Sequence, residues 1–361
     1  MERSTSTLKL SSKKKLTQRS SFVGMLRIHL WMILMAVVGF AAQVDAQFVQ
    51  QGDKLVGLGA AGAAYQGMSV ALSGDGNTAI VGGHEDNGGV GAAWIYTRAN
   101  GVWSQEGTKL VGSGAVGHSA QGVAVALSRD GKTAMIGGPW DNSYVGAAWV
   151  FTRSGDVWTQ QGNKIVGSDV SGTPFFGYSL GLSSDGNTAV VGAPVDSGHQ
   201  YAAVGAACIF TRKGSNWTQL GKKLVGTNSS GLPQQGLSVG ISSDGNIVII
   251  GGPADSSNTG AAWVFTRSDT VWTQQGIKLV GTAATSAQQG ASIGLSSDGN
   301  TAVIGGPYDS SGSGAAWIFS RSGATWTQQG TKLVGIGAAG NALQGSAVSI
   351  SGDGNTVIVG G

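Results

Sequence analysis

QGMSVALSGDGNTAIVGGHEDNGGVGAAWIYTRANGVWSQEGTKLV, residues 66–111, carries the fold in a single unit. Its opening, Gln66 to Ser73, alternates apolar with small or polar residues, the period of a strand with one buried face. Asp75-Gly76 follows, a dipeptide suited to a tight hairpin whose turn needs positive φ. Thr78 to Gly82 is a short apolar run, fit for burial on both faces. A loop bearing Asp86 leads to a third strand, Gly91 to Arg98, and a short turn leads to a fourth, Val102 to Val111. Nothing in this unit has helical periodicity.

The unit recurs. Ser-x-Asp-Gly places its aspartate at Asp75, Asp130, Asp185, Asp244, Asp298 and Asp353, at spacings of 55, 55, 59, 54 and 55 residues. Eleven residues later a second aspartate follows in five units: Asp86, Asp141, Asp196, Asp255 and Asp309. Complete units occupy roughly 66–111, 121–166, 176–225, 235–280 and 289–334, and a sixth runs from Gln344 through its second strand to Gly361. Short strands repeated in fours at this spacing predict an all-β chain: a β-propeller of four-stranded antiparallel blades, about 55 residues per repeat, with five complete repeats and a partial sixth. The alternative is a β-solenoid, whose coils are usually shorter, about 20–30 residues. Phe48 to Gly57 (FVQQGDKLVG) matches residues 158–167 and reads as a lone fourth strand that could join the sixth blade. That blade would still want its third strand, so the expectation is a propeller, over residues 47–361, truncated at its C-terminus.

Composition agrees with short strands and tight turns: 63 glycines, and only 11% charged residues. The formal net charge of +3 is set by the first 46 residues, which hold seven basic and two acidic side chains. The remainder has 15 basic and 17 acidic residues, so there is no electrostatic case for nucleic acid. Residues 1–46 read as a signal peptide. Leu30 to Ala42 is a 13-residue uncharged run, short for a bilayer span, and Val44-Asp45-Ala46 offers a cleavage site before Gln47. Translation from Met25 would give a leader of ordinary length; an uncleaved anchor is the competing reading. The expected location is therefore secreted or cell-surface, with the membrane involved only through the leader or an anchor. A single cysteine, Cys208, excludes an internal disulfide framework.

Unit three opens with Phe176-Gly177 and closes its second strand with Gly192-Ala193-Pro194; other units read Gln-Gly and Gly-Gly-Pro at these places. The pattern resembles the FG-GAP repeat of integrin α-chain propellers and bacterial surface proteins. The resemblance implies a propeller, and often adhesion or ligand recognition on one rim. Many family members also bind calcium in the first hairpin, through Asp-x-Asp-x-Asp-Gly-x-x-Asp. Here Gly181, Ser183 and Ala189 stand where three of those carboxylates belong. One carboxylate per loop is a poor donor set for an ion that takes six to eight oxygens. The six hairpin aspartates, Asp75 to Asp353, are thus weak calcium candidates, no cofactor is expected, and their expected role is to cap the turn.

Recurring residues read as framework. Trp94, Trp149, Trp263 and Trp317 share one third-strand position, which Cys208 takes in unit three. Trp103, Trp158, Trp217, Trp272 and Trp326 begin the fourth strand. The repeated arginines and lysines of the outer strands, Arg98 and Lys109 in unit one, are expected to guard against edge-to-edge pairing. A site peculiar to this chain should break the repeat. The loops after the second strands hold His84, Glu85, Trp140, Tyr144, His199, Tyr201 and Tyr308, the ligand-binding candidates; the loops between units hold Tyr65, His118 and Phe175. Loops on a rigid scaffold are where recognition usually sits. The reading is a non-catalytic module that binds an extracellular protein or glycan through its rim loops. A spacer or display domain of a longer surface protein and a secreted polysaccharide-active enzyme are the alternatives.

Overall fold

The computed structural model describes residues 49–197 and 203–361; the expected leader and its cleavage point, and His199 and Tyr201, lie outside them. The body, Lys54–Gly361, is all-β. Its first sheet is β1 (Ser69–Leu72), β2 (Thr78–Gly83), β3 (Ala92–Ala99) and β4 (Val102–Gln105). The second is β5 (Ala124–Leu127), β6 (Thr133–Gly138), β7 (Ala147–Ser154) and β8 (Val157–Gln160). The third is β9 (Leu180–Leu182), β10 (Thr188–Ala193), β11 (Ala206–Lys213) and β12 (Asn216–Gln219). The fourth is β13 (Ser238–Ile241), β14 (Ile247–Gly252), β15 (Ala261–Ser268) and β16 (Val271–Gln274). The fifth is β17 (Ser292–Leu295), β18 (Thr301–Gly306), β19 (Ala315–Ser322) and β20 (Thr325–Gln328). A two-stranded sixth sheet is β21 (Ala347–Ile350) and β22 (Val357–Gly360).

Every sheet is a meander in sequence order, antiparallel throughout. The first strands of successive sheets lie side by side. These are propeller blades. A solenoid would run one sheet through successive coils; here each repeat hydrogen-bonds its own strands into its own sheet.

Each first hairpin closes in one way. In the first sheet the Ser73 hydroxyl donates to Asp75 Oδ1 (2.5 Å), and Asp75 Oδ1 also accepts the Asn77 N–H (3.0 Å). The Asp thus satisfies its own turn, as the sequence predicts. The turns also join the blades: the Gly74 N–H donates to the Arg129 carbonyl, Arg129 to Ser184, Ser184 to Ser243, Ser243 to Ser297 and Ser297 to Gly352.

The core lies between sheets. Ile80, Ala93, Ile95 and Leu110 of the first repeat pack on Val125, Ile136, Trp149 and Phe151 of the second, and equivalent clusters join the second to third, third to fourth and fourth to fifth. Two glycines allow this approach. A Cβ on Gly137, at the end of β6, would strike the Gly177 carbonyl of the next blade, and Gly177 itself sits at φ +90° with the Ala147 carbonyl beside it. The glycine of Phe-Gly and the first glycine of the preceding blade's Gly-Gly-Pro are thus two sides of one inter-blade contact.

The fourth strands are shorter than expected. β4 stops at Gln105 because Gly107 turns the chain at φ +68°. The chain then rejoins the sheet at Leu110, which exchanges hydrogen bonds with Ala93. Residues 49–57 form no strand.

The outer lysines are not edge guards. Lys109, Lys164, Lys223, Lys278 and Lys332 each bond the buried aspartate of their own repeat, at 2.5–2.7 Å. The other oxygen of that aspartate accepts a backbone N–H, as Asp141 does from Val116 (2.7 Å). The second recurring aspartate is therefore a buried strut tying the fourth strand to the loop. The arginines have local partners too: Arg212 donates to Asn187 Oδ1 (2.9 Å) and lies over the Trp217 ring (5.5 Å).

Candidate recognition face

The second strands of the five complete blades have six residues, about 20 Å at roughly 3.3 Å per residue. They hold the capped Ser-x-Asp-Gly turns at one end of each blade and the variable loops at the other. Two positions in each repeat build the variable end.

The first is the residue two before the glycine that opens each repeat: Tyr65, Ala120, Phe175, Gln234, Gln288 and Leu343. All six have positive φ, 51–57°, although none is glycine. Such a backbone costs roughly 1–2 kcal/mol and persists where its surroundings fix it. The fixing is visible: the Ala120 N–H donates to the Gly89 carbonyl and Gln121 to Val90, while Phe175 donates to Tyr144 and Phe176 to Val145. Each inter-blade linker is thereby bolted to the loop of the preceding blade. One rigid backbone position presents six side chains, five of them different.

The second position precedes the buried aspartate and holds Glu85, Trp140, Val195, Ala254 and Tyr308. Proline precedes it in four blades; His84 replaces that proline in the first.

Five of the sequence candidates come together beside these positions: Tyr65, His84, Glu85, His118 and Trp140. Tyr65 lies 5.8 Å from His84, between ring centroids, and His84 meets Trp140 edge-on at 5.9 Å. His118 stacks on the other side of the chain of rings, 6.3 Å from Trp140 and 6° from parallel. Glu85 Oε1 is 3.6 Å from His84 Nε2. His84 Nδ1 is buried with no hydrogen-bond partner. Tyr65 and His118 are exposed, and Trp140 is half-buried. A second pair, Tyr144 and Phe175, meets at 5.3 Å one blade further on; Tyr144 is exposed and Phe175 buried. Tyr308 is half exposed on the fifth blade, away from this group in the repeat order.

The sequence marks each of these residues as a break in the repeat. It does not show that Tyr65 and His118, from two different linkers, flank one loop pair. That grouping follows from the bolting of each linker to its neighbour. The signal available in sequence was the aligned column from Tyr65 to Leu343, whose variability contrasts with the constant glycine two residues on.

The group suits binding of a surface with apolar ring faces and hydroxyls: rings to stack, imidazoles and one carboxylate to hydrogen-bond. The hairpin aspartates at the opposite end are engaged by their own turns, and among the described residues no three metal-type side chains converge. The Cys208 thiol is fully buried. Burial first, then the nearby Asp169 carboxylate, pushes its pKa up, away from the thiolate a nucleophile needs. No helix among the described residues is long and apolar enough to cross a membrane.

Among solved structures, the chain is similar to a candidate TolB from Agrobacterium tumefaciens, at 12% identity over 81% of this chain and 88% of that one, with a TM-score of 0.45. No curated protein matches it in sequence. The repeat with blades of this kind fits a non-catalytic binding module. Residues 158–210, from the fourth strand of the second blade through most of the third blade, match the family described as FG-GAP repeat, a match that supports an FG-GAP repeat protein.

Proposed function

We propose that this chain is an extracellular or cell-surface binding module that holds a protein or glycan against the loops of its first three blades. One observation carries the reading. The loops that vary from blade to blade bring Tyr65, His84, Trp140 and His118 into one row of rings, while the strands and Ser-x-Asp-Gly turns keep their pattern. Constant parts of a repeat maintain the fold, and a rigid variable rim is where a repeat scaffold places recognition. Exposed aromatics fixed on such a rim give large contact area at small entropic cost, the usual character of binding hot spots.

The test is binding of the chain to arrays of glycans and of extracellular matrix and surface proteins. Capture of a defined ligand that Trp140→Ala or Tyr65→Ala weakens at least tenfold supports the reading. Tyr308→Ala, on the fifth blade, should leave that binding within twofold. Capture that is indifferent to Tyr65 and Trp140, or no capture on either array, sinks it.

A further inference from the structure

Five contacts at the variable end obey one size rule. At each joint a loop carbonyl of one blade accepts the N–H of the positive-φ residue in the next linker. Gly89, Tyr144, Ala203, Asn258 and Gly312 accept from Ala120, Phe175, Gln234, Gln288 and Leu343, at 2.8–3.1 Å. Two residues before each donor the linker carries His118, Thr173, Leu232, Ser286 or Asn341. Taken joint by joint, glycine meets histidine, tyrosine meets threonine, alanine meets leucine, asparagine meets serine, and glycine meets asparagine. A small loop residue goes with a large linker residue, and a large loop residue with a small one.

The geometry gives the reason at two joints. A Cβ on Gly89, which sits at φ +85°, would strike the His118 imidazole. One on Gly312 would press on the Asn341 side chain at 3.2–3.4 Å. Tyr144 and Asn258 hold the same loop position at φ +70° and +67°, and the linker beside them shrinks to Thr173 and Ser286. Close-packed space of this size takes one large side chain. Each joint is therefore a socket filled once, from the loop or from the linker. At four successive joints the side chain that fills it is His118, Tyr144, Leu232 and Asn258, and all four are exposed.

We infer that these four side chains form a recognition row for an extended polypeptide, with one contact at each joint. The row lies on the binding face proposed above and rests on that reading, narrowing its ligand from protein or glycan to polypeptide. A polymer of one repeating unit, such as a simple glycan, offers the same group at each step and would be met by the same residue at each joint. Here an imidazole, a phenol, an isobutyl group and a carboxamide succeed one another on a scaffold that otherwise repeats. The occupant that matches such a row changes its chemistry along its length, as a polypeptide does. Its apolar side chains would lie on Tyr144 and Leu232, and its hydrogen-bonding groups would meet His118 and Asn258.

The socket is tested by a double substitution. Thr173→His should lower the urea midpoint, because Tyr144 already fills that joint, and adding Tyr144→Gly should restore it; no rescue overturns the size rule. The row is tested with a displayed library of random dodecapeptides. Recovered peptides are labelled with fluorescein, titrated with the protein and followed by polarisation. Saturable binding is expected. His118→Ala and Leu232→Ala, two joints apart and both at exposed positions, should each weaken it at least fivefold. Lys132→Ala, among the hairpins of the opposite end, should leave it unchanged. Binding that depends on only one of the two joints, or on neither, overturns the row. Failure to recover any peptide, beside capture of a glycan that Trp140→Ala weakens, overturns the polypeptide assignment and leaves the recognition face standing. No capture of peptide, protein or glycan sinks both.

Discussion

At the scale of single residues, the repeat makes one orphan conspicuous. Fourth-strand indoles reach back to the preceding blade: Trp158 donates to Glu106 (2.8 Å), Trp217 to Gln161 (3.0 Å) and Trp326 to Gln275 (3.1 Å). The position that should serve Trp272 is Leu220, and the Trp272 indole N–H is buried with no acceptor. An unsatisfied buried donor costs about 1–3 kcal/mol. Leu220 also packs partly in the third-to-fourth joint, so its removal takes back some of the gain. Leu220→Gln is therefore expected to stabilise the protein by about 1 kcal/mol in urea unfolding. The gain should vanish in a Trp272→Phe background; a gain of the same size there would mean that the glutamine acts elsewhere.

Residue identities were legible where they repeat and opaque where two changes compensate. Cys208 in place of tryptophan reads as a packed apolar site, and it is one. What fills the volume of the absent indole is invisible in sequence. Phe176 occupies the column that holds Gln121, Gln235, Gln289 and Gln344, and with Val170 it reaches the space over Gly167 that an indole takes elsewhere. Those glutamines clasp the glycine before them through both backbone groups, as Gln121 does with Gly112. The third blade exchanges that clasp and its indole for an apolar plug, and only packing connects the two positions.

At the scale of elements, the hairpins were legible because Asp-Gly dictates its own turn, whereas the fourth strands were not, because the bend at Gly107 is set by the blade it rejoins. The hairpins also give the molecule its acid response. The Ser73 hydroxyl, then the Asn77 backbone N–H and side-chain amide, hold Asp75 down to about 2. Asp298 and Asp353 are lowered by the same kind of donors, led by Ser296 and Ser351. For Asp185 and Asp244 burial pushes upward, but the serine and asparagine donors outweigh it and the net shift is down. A carboxylate lowered in the folded state contributes stability above its unfolded pKa, near 4, and loses it as pH falls toward the folded value. The unfolding midpoint should therefore stay level from neutrality to about pH 5 and fall between roughly pH 4 and 2. Replacing Asp298 by Asn should lower the midpoint at pH 7 and flatten the acid limb. A midpoint that rises on acidification would reverse the assignment.

At the scale of the whole molecule, the unit count and the blade order were legible from the spacing of six aspartates, but the joint between blades was not. A strand reads its own two faces, and says nothing about which neighbour covers them. The coverage shows in equivalent residues of different blades. Ile249, in β14, and Ile358, in β22, hold the same repeat position and are the same residue type, yet Ile249 is wholly buried against the fifth blade and Ile358 is 66% exposed. If stability resides in the joints, the two should respond differently to one substitution. Ile249→Ala is expected to cost about 3 kcal/mol, the usual figure for removing a buried isoleucine side chain beyond Cβ and leaving a cavity. Ile358→Ala is expected to stay within about 0.5 kcal/mol. Urea unfolding of the two variants beside the parent chain measures both. Equal losses would locate the stability within each sheet and not between sheets. A large loss for Ile358→Ala alone would mean that in solution the outer face of the sixth sheet is already covered.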